Sequence, residues 1–143
     1  MVVPGVLPPR RGPFACELRT SKSSIVFIGL GTGDHFQWQD FEANYRAPIE
    51  YALKAGVLPV LVTKVDALES EEGGATPGYI NDVIRRLGAE YDVPVVDMWK
   101  ATRDLRDGGL TDEPGHDFHL NAEAIGVHVI ATLQMLYRLL NGV

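Results

Sequence analysis

The 143-residue sequence predicts an α/β fold, a three-layer αβα sandwich built on a parallel sheet. Three observations carry that expectation. Short apolar runs rich in β-branched residues recur at Ser24–Gly29, Val57–Val65 and Val93–Met98, the pattern of strands buried on both faces. Each run is followed by a segment of helical periodicity. Strand and helix alternating three times over requires crossover connections, and therefore parallel strands with helices on both faces.

Taken in order, Met1 to Lys22 reads as an irregular arm, because Pro4, Pro8, Pro9 and Pro13 interrupt any regular element. Residues 23–143 then form a single domain. The run Ser24–Gly29 is the first strand and stops in a turn at Gly29, Gly31 and Gly33. A helix begins near Gln37, with Trp38, Phe41, Tyr45, Ile49 and Ala52 on one face. Pro48 lies inside it and predicts a kink or a restart, since its ring opposes the carbonyl of Asn44. Gly56 is suited to end that helix.

The second strand, Val57–Val65, tolerates Pro59 near its start. After the acidic, Gly-rich loop Ala67–Ala75, Thr76 and Pro77 have the chemistry of a cap and first position for a helix. Its stripe is Ile80, Val83, Ile84, Leu87 and Tyr91. The third strand, Val93–Met98, precedes a helical turn around Ala101–Leu105 and a polar loop, Arg106–Phe118. Asn121 starts the last helix, with Leu120 and Ile125 spaced as a hydrophobic staple. That helix runs through Leu140. Its apolar residues Ile125, Val127, Ile130, Leu133, Leu136 and Leu139 predict cover over most of its circumference.

Composition narrows the classes. A hydrophobic content of 45% and a charged content of 22% fit one soluble-type globular domain with a real core. The net charge of −6, without a basic stripe, argues against a nucleic-acid partner. Cys16 is the sole cysteine, so no intramolecular disulfide forms. No apolar run approaches the roughly 20 residues that span a bilayer, so no membrane partner is expected. The segment Met1–Phe14 lacks an apolar run of signal-peptide length, and the localisation stays open.

In such sheets chemistry gathers beyond the carboxyl ends of the strands, here in Leu30–Phe36, Asp66–Ala75 and Arg106–Asn121. His119 sits just before the cap of the last helix, where the positive end of the dipole favours a neutral, proton-accepting ring. Asp117 and His116 stand two and three residues before it, and a carboxylate there would hold the imidazole's tautomer. Two histidines and a carboxylate are also metal-ligand types, but an irregular loop supplies no fixed geometry, and no metal is expected. In Gly31-Thr32-Gly33-Asp34 the glycines let backbone N–H groups converge on an oxyanion. The bland alternative is a tight turn with Asp34 as a helix cap. Lys64 and Asp66 read as an ion pair at a loop root. Trp38 and Trp99 read as packing residues, and His35 and His128 have no evident partner.

The stretch Phe27-Ile28-Gly29-Leu30-Gly31-Thr32-Gly33-Asp34 resembles the third conserved block of the SGNH, or GDSL-type, hydrolases, usually Gly-Xaa-Asn-Asp. Asp117-Phe118-His119-Leu120-Asn121 resembles their fifth block, where Asp-Xaa-Xaa-His precedes the last helix. The resemblance runs from about Pro13 to the end. It implies a flavodoxin-like sandwich whose N-terminal strands are missing here, and hydrolysis of acyl esters or acetylated sugars without metal or organic cofactor. It also implies His119 and Asp117 as triad members, with Gly33, Thr32 and Asp34 on the oxyanion and substrate side. Three departures stand out. No Gly-Asp-Ser block occurs, since Ser21, Ser23, Ser24 and Ser70 lie in other contexts. Gly33 replaces the asparagine that donates from its side chain. The position three before His119 is His116, with Asp117 displaced by one.

Two functions follow from these readings. One is an ester hydrolase of this type, truncated and lacking its own serine nucleophile. The other is a non-catalytic binding or assembly module on the same scaffold. A small nucleotide- or flavin-binding domain is a weaker third. With its first strands absent, Ser24–Gly29 becomes an open, apolar edge, which predicts a homodimer or another partner there, partial cover by the arm Met1–Lys22, or poor stability of the chain alone.

Overall fold

The structure, a computed structural model, describes residues 12–113 and 118–142. The described residues open with a helix, α1 (Pro13–Ser21), in the second half of the stretch Met1–Lys22 where an irregular arm is expected. The first eleven residues of that stretch lie outside the described residues. Pro13 stands at the first helical position, where its missing N–H is no loss and its fixed φ suits the turn. Ala15 and Leu18 are buried, and Phe14 packs edge-on against Tyr51 at 6.2 Å, so tertiary contact holds the short helix in place.

Among the described residues three parallel strands follow, β1 (Ile25–Ile28), β2 (Leu58–Val62) and β3 (Val95–Val96), in the order β1-β2-β3. Ile25 pairs with Leu58 and Ile28 with Leu61, while Leu61 and Val62 pair with Val95 and Val96. The strands are shorter than the apolar runs that announce them. The Thr63 N–H still donates to the Val96 carbonyl at 3.1 Å, whereas the Lys64 N–H turns to the Asn81 side chain at 2.9 Å, which ends the ladder there.

β2 supplies both cores through its alternation. Leu61 faces α2 (Phe41–Lys54) and α4 (Tyr79–Glu90), joining Ile28, Phe41, Tyr45, Ile49, Ile80, Ile84 and Leu87. Val60 and Val62 face the other side with Val96 and Met98, under the last helix, α6 (Ala122–Asn141). Two layers of helix therefore sandwich the sheet, as the alternation requires. Tyr45 ties one layer to β1 by donating to the Ile28 carbonyl at 2.6 Å, and burial pushes its phenol well above its ordinary range.

α2 continues through Pro48 as one helix, where a kink or restart is expected. Tyr45, Ile49 and Ala52, all buried on one face, carry it past the missing hydrogen bond. α4 starts later than Thr76 and Pro77 suggest, because Gly78 adopts a left-handed φ of 77° and the helix begins at Tyr79. Two short helices, α3 (Leu68–Glu71) and α5 (Met98–Thr102), fill the loops after β2 and β3. Asp97 caps α5 by accepting from the Lys100 N–H at 3.0 Å.

α6 departs most from expectation. Val127, Ala131, Met135 and Leu139 pack on the sheet, but Ile125, Ile130 and Leu133 stand more than half exposed. Among the described residues, one side of the helix meets the domain. Among the described residues, no helix is long and apolar enough to cross a membrane.

Candidate active site

The strand ends converge on a crevice at the carboxyl edge of β1 and β2. One wall is the turn after β1. Gly31 is buried with φ at 133°, a conformation that favours glycine. A Cβ there would stand 2.9 Å from Ile80 Cγ2 and 3.3 Å from Lys64 Cδ. The turn is closed by the Asp34 N–H donating to the Gly31 carbonyl at 3.1 Å, and Gly33 beyond it is exposed. Asp34 makes no side-chain cap; Gly31 takes the capping position of the 3₁₀ segment Thr32–Asp40.

Thr32 anchors this turn across the crevice. Its hydroxyl donates to Asp66 Oδ2 at 2.7 Å. Asp66 Oδ1 in turn accepts from Lys64 Nζ at 2.5 Å and from the Leu68 N–H at 3.2 Å. Lys64 also pairs with Glu69, although neither Glu69 oxygen receives an aligned hydrogen bond. The side chains of Lys64, Asp66 and Glu69 are each no more than 3% exposed, so two carboxylates share one ammonium away from water. Asn81, from α4, fixes the Lys64 backbone by accepting from its N–H at 2.9 Å and donating to its carbonyl at 3.0 Å. The expected pair at the loop root is thus a buried three-residue cluster.

The opposite wall is the loop before α6. Leu110 and Leu120 form an antiparallel bridge, and the Thr111 N–H donates to the His119 carbonyl at 2.8 Å. Asn121 caps α6 by accepting from the Ala124 N–H at 2.9 Å. His119 is therefore held at the helix entrance, exposed, with its ring 4.3 Å from that of Phe118. Asp117 and His116 lie outside the described residues.

A cavity of about 170 Å³ lies between the walls. Thr32, Thr63, Lys64 and Asp66 line it from the sheet side, and Phe118, Leu120 and His128 from the α6 side. The residues flanking His119 thus reach the cavity that Thr32 lines, while Gly33, Asp34 and His119 are not among its lining residues. His128 was without an evident partner in the sequence. Its spacing of four from Ala124 and three from Ala131 on α6 is the signal that aligns it with the packed face. Among the described residues, no group of three or more His, Cys, Asp or Glu side chains is arranged to hold a metal.

Other candidates are structural. Trp38 donates from its indole N–H to the Gly73 carbonyl at 3.0 Å and meets Tyr79 edge-on. His35 lies 3.0 Å from the Thr32 carbonyl through Nδ1 and 3.5 Å from Glu72 through Nε2. Asp97 is partly buried, which disfavours its charge, yet Arg85, the Lys100 N–H and Thr63 together hold its carboxyl below the ordinary range.

The model of the GDSL-like lipase/acylhydrolase family matches residues 6–124, from before α1 to the first turn of α6. The chain belongs to that family. A curated relative, the "uncharacterized lipoprotein YqeF" of Bacillus subtilis (strain 168), is 27% identical over 129 residues, covering 70% of this chain and 53% of that protein. The chain spans about half the length of this relative. No solved structure matches it. Membership and the parallel αβα architecture agree with the resemblance read from Gly31–Asp34 and Asp117–Asn121.

Proposed function

We propose that this acylhydrolase-family chain carries the base and oxyanion side of an ester-hydrolysing site, with the serine nucleophile supplied by another segment. His119 acts as the general base, and Asp117 or His116 orients its ring. The backbone around Thr32 and Gly33, with Asp34 beside it, receives the oxyanion and substrate. The substrate is a small acyl ester or an acetylated sugar, and no metal or cofactor takes part.

The observation that supports this reading is a cavity bounded by Thr32 on one wall and by Phe118 and Leu120, the neighbours of His119, on the other. β1 pairs only with β2 among the described strands, so its free edge is where a strand bearing the nucleophile would join. Hydrolysis of p-nitrophenyl acetate by the chain and by its His119→Ala variant tests the proposal. Without a serine of its own the chain can act only through His119 activating water, so its rate should exceed buffer modestly and the variant's should fall to buffer. Equal rates would remove the enzymatic reading.

A second reading has its own support. Ser21 and Ser23 bond to each other at 2.6 Å, and Ser70 donates to the Ala67 carbonyl at 2.9 Å; neither pair of groups borders the cavity. A binding or assembly module on the same scaffold would keep the cavity and show no His119-dependent hydrolysis.

A further inference from the structure

We propose that the cleft beside the cavity, between α3 and the loop after α5, is a carbohydrate subsite that holds a neutral pyranose ring against Trp99. Its role as the alcohol side of the substrate rests on the acylhydrolase reading; its capacity to bind the ring does not.

Trp99 carries the inference. Its sequence context marks it as a packing residue, yet it joins none of the apolar cores formed by the described residues. It is half-buried, and its indole N–H donates to no acceptor among them. A buried tryptophan usually finds a partner for that group. Its backbone, by contrast, is fixed. The Trp99 backbone N–H donates to Thr63 Oγ1 at 3.0 Å, and Asp97 caps the same turn by accepting from the Lys100 N–H at 3.0 Å. A rigid turn thus presents an indole that the fold itself does not use.

Trp99 walls a cleft of about 440 Å³, within the roughly 300–1,000 Å³ of small-molecule sites. Val65 and Leu68 line its apolar side, and Glu71, Asp107 and Asp112 its polar side. Val65 and Asp66 line both this cleft and the cavity bounded by Thr32, so the two are neighbours along the carboxyl edge of the sheet. An ester group seated in the cavity would extend its alcohol toward Trp99.

The groups on the walls select the ligand. A pyranose offers C–H groups to the indole face, oxygens to the indole N–H and hydroxyl donors to the carboxylates. Arg106 lies 3.2 Å from Asp107 and 3.5 Å from Asp112, and Glu71 makes no ion pair among the described residues. The excess of carboxylate repels a phosphate or a free carboxylate ligand. An organic cation would meet the ring, but it gives the indole N–H no acceptor and competes with Arg106 for Asp107 and Asp112.

NMR titration of the isotope-labelled full chain with methyl glucoside, methyl galactoside, methyl xyloside and tetramethylammonium tests the proposal. The chain has two tryptophans and so two indole N–H signals. A pyranoside should move the Trp99 signal saturably, while the Trp38 signal, already bonded to the Gly73 carbonyl, stays in place. Ligand-detected NMR then compares variants shown by circular dichroism to be folded. Trp99→Phe keeps a ring but loses the donor and should weaken binding about two- to tenfold. Trp99→Ala should abolish it. No saturable shift with any pyranoside overturns the proposal, as does undiminished binding by Trp99→Ala. A shift with tetramethylammonium alone also overturns it and marks a cation site. Pyranoside binding by a chain that hydrolyses no p-nitrophenyl acetate upholds the subsite and removes its link to ester hydrolysis; hydrolysis without pyranoside binding removes the subsite alone.

Discussion

Replacing Lys64 with Met tests the buried cluster that ties β2 to the crevice. Among the described residues, Lys64 Nζ is the cation that pairs with both Asp66 and Glu69, and all three side chains are at most 3% exposed. With the ammonium present the cluster carries one excess negative charge; without it, two carboxylates face each other in a site closed to water. Asp66 keeps bonds from Thr32 and the Leu68 N–H, but Glu69 has none to fall back on. Removing one partner of a buried pair costs about 3–5 kcal/mol, a large part of a total stability of about 5–15. At a urea slope of about 1–3 kcal/mol per molar, the midpoint should fall by at least about 1 M. Glu69→Gln is the informative companion. It removes the carboxylate that receives no aligned hydrogen bond and leaves Lys64 with Asp66, so its effect should stay within about 1 kcal/mol. Combined with Lys64→Met it should recover part of the loss, giving a coupling of roughly 0.5–3 kcal/mol in a double-mutant cycle. The assay is urea unfolding followed by far-ultraviolet circular dichroism at pH 7. A Lys64→Met variant within about 1 kcal/mol of the parent, with no coupling to Glu69, would refute the reasoning.

Gly31→Ala should destabilise the chain by about 1–3 kcal/mol, from a strained φ and a Cβ pressed on Ile80, whereas Gly33→Ala, with open space around it, should change stability little. The same urea titration compares them, and equal effects would sink the account of the turn. Glu42 supplies a pH prediction. Hydrogen bonds from Arg86 and Arg46 hold its carboxyl down to about 2 from 4.5, so its contribution is complete above 4.5 and is lost as the pH falls toward 2. Melting temperature against pH should therefore fall less steeply across that window in Glu42→Gln than in the parent; parallel curves would exclude the mechanism.

Much of the fold was legible because it depends on local pattern. The apolar runs around Ile25–Ile28 and Leu58–Val62 mark strands, and the stripe Ile80, Val83, Ile84 and Leu87 marks the buried face of α4. Asn121 is a cap because its own side chain satisfies the Ala124 N–H. What stayed hidden depends on distant partners. Pro13 begins a helix rather than preventing one, since Leu18 finds Ala52 and Val57 far along the chain. Pro48 fails to break α2 because the core holds both of its flanks. The site divides the same way: the glycine turn and His119 show in short motifs, but the bond from Thr32 to Asp66 spans 34 positions and no local spacing announces it.

The rotation of α6 sets a cavity wall and an exposed strip at once. A helix apolar on two sides does not disclose from periodicity alone which side meets the sheet. Ala124, fully buried, with Val127, Ala131 and Met135, settles the choice. That single rotation brings His128 onto the cavity wall and turns Ile125, Val129, Leu133 and Leu140 outward. A half-turn about the helix axis would bury the outer strip and remove His128 from the crevice together. Small residues at Ala124 and Ala131 let the helix lie close to the domain, and Gly109 depends on the first of them, since a Cβ there would stand 2.8 Å from that of Ala124. Enlarging Ala124 would therefore act on both surfaces, whereas Leu133→Glu acts on the outer one alone. The cavity wall and the exposed strip share a helix but are separable by where the substitution falls on it.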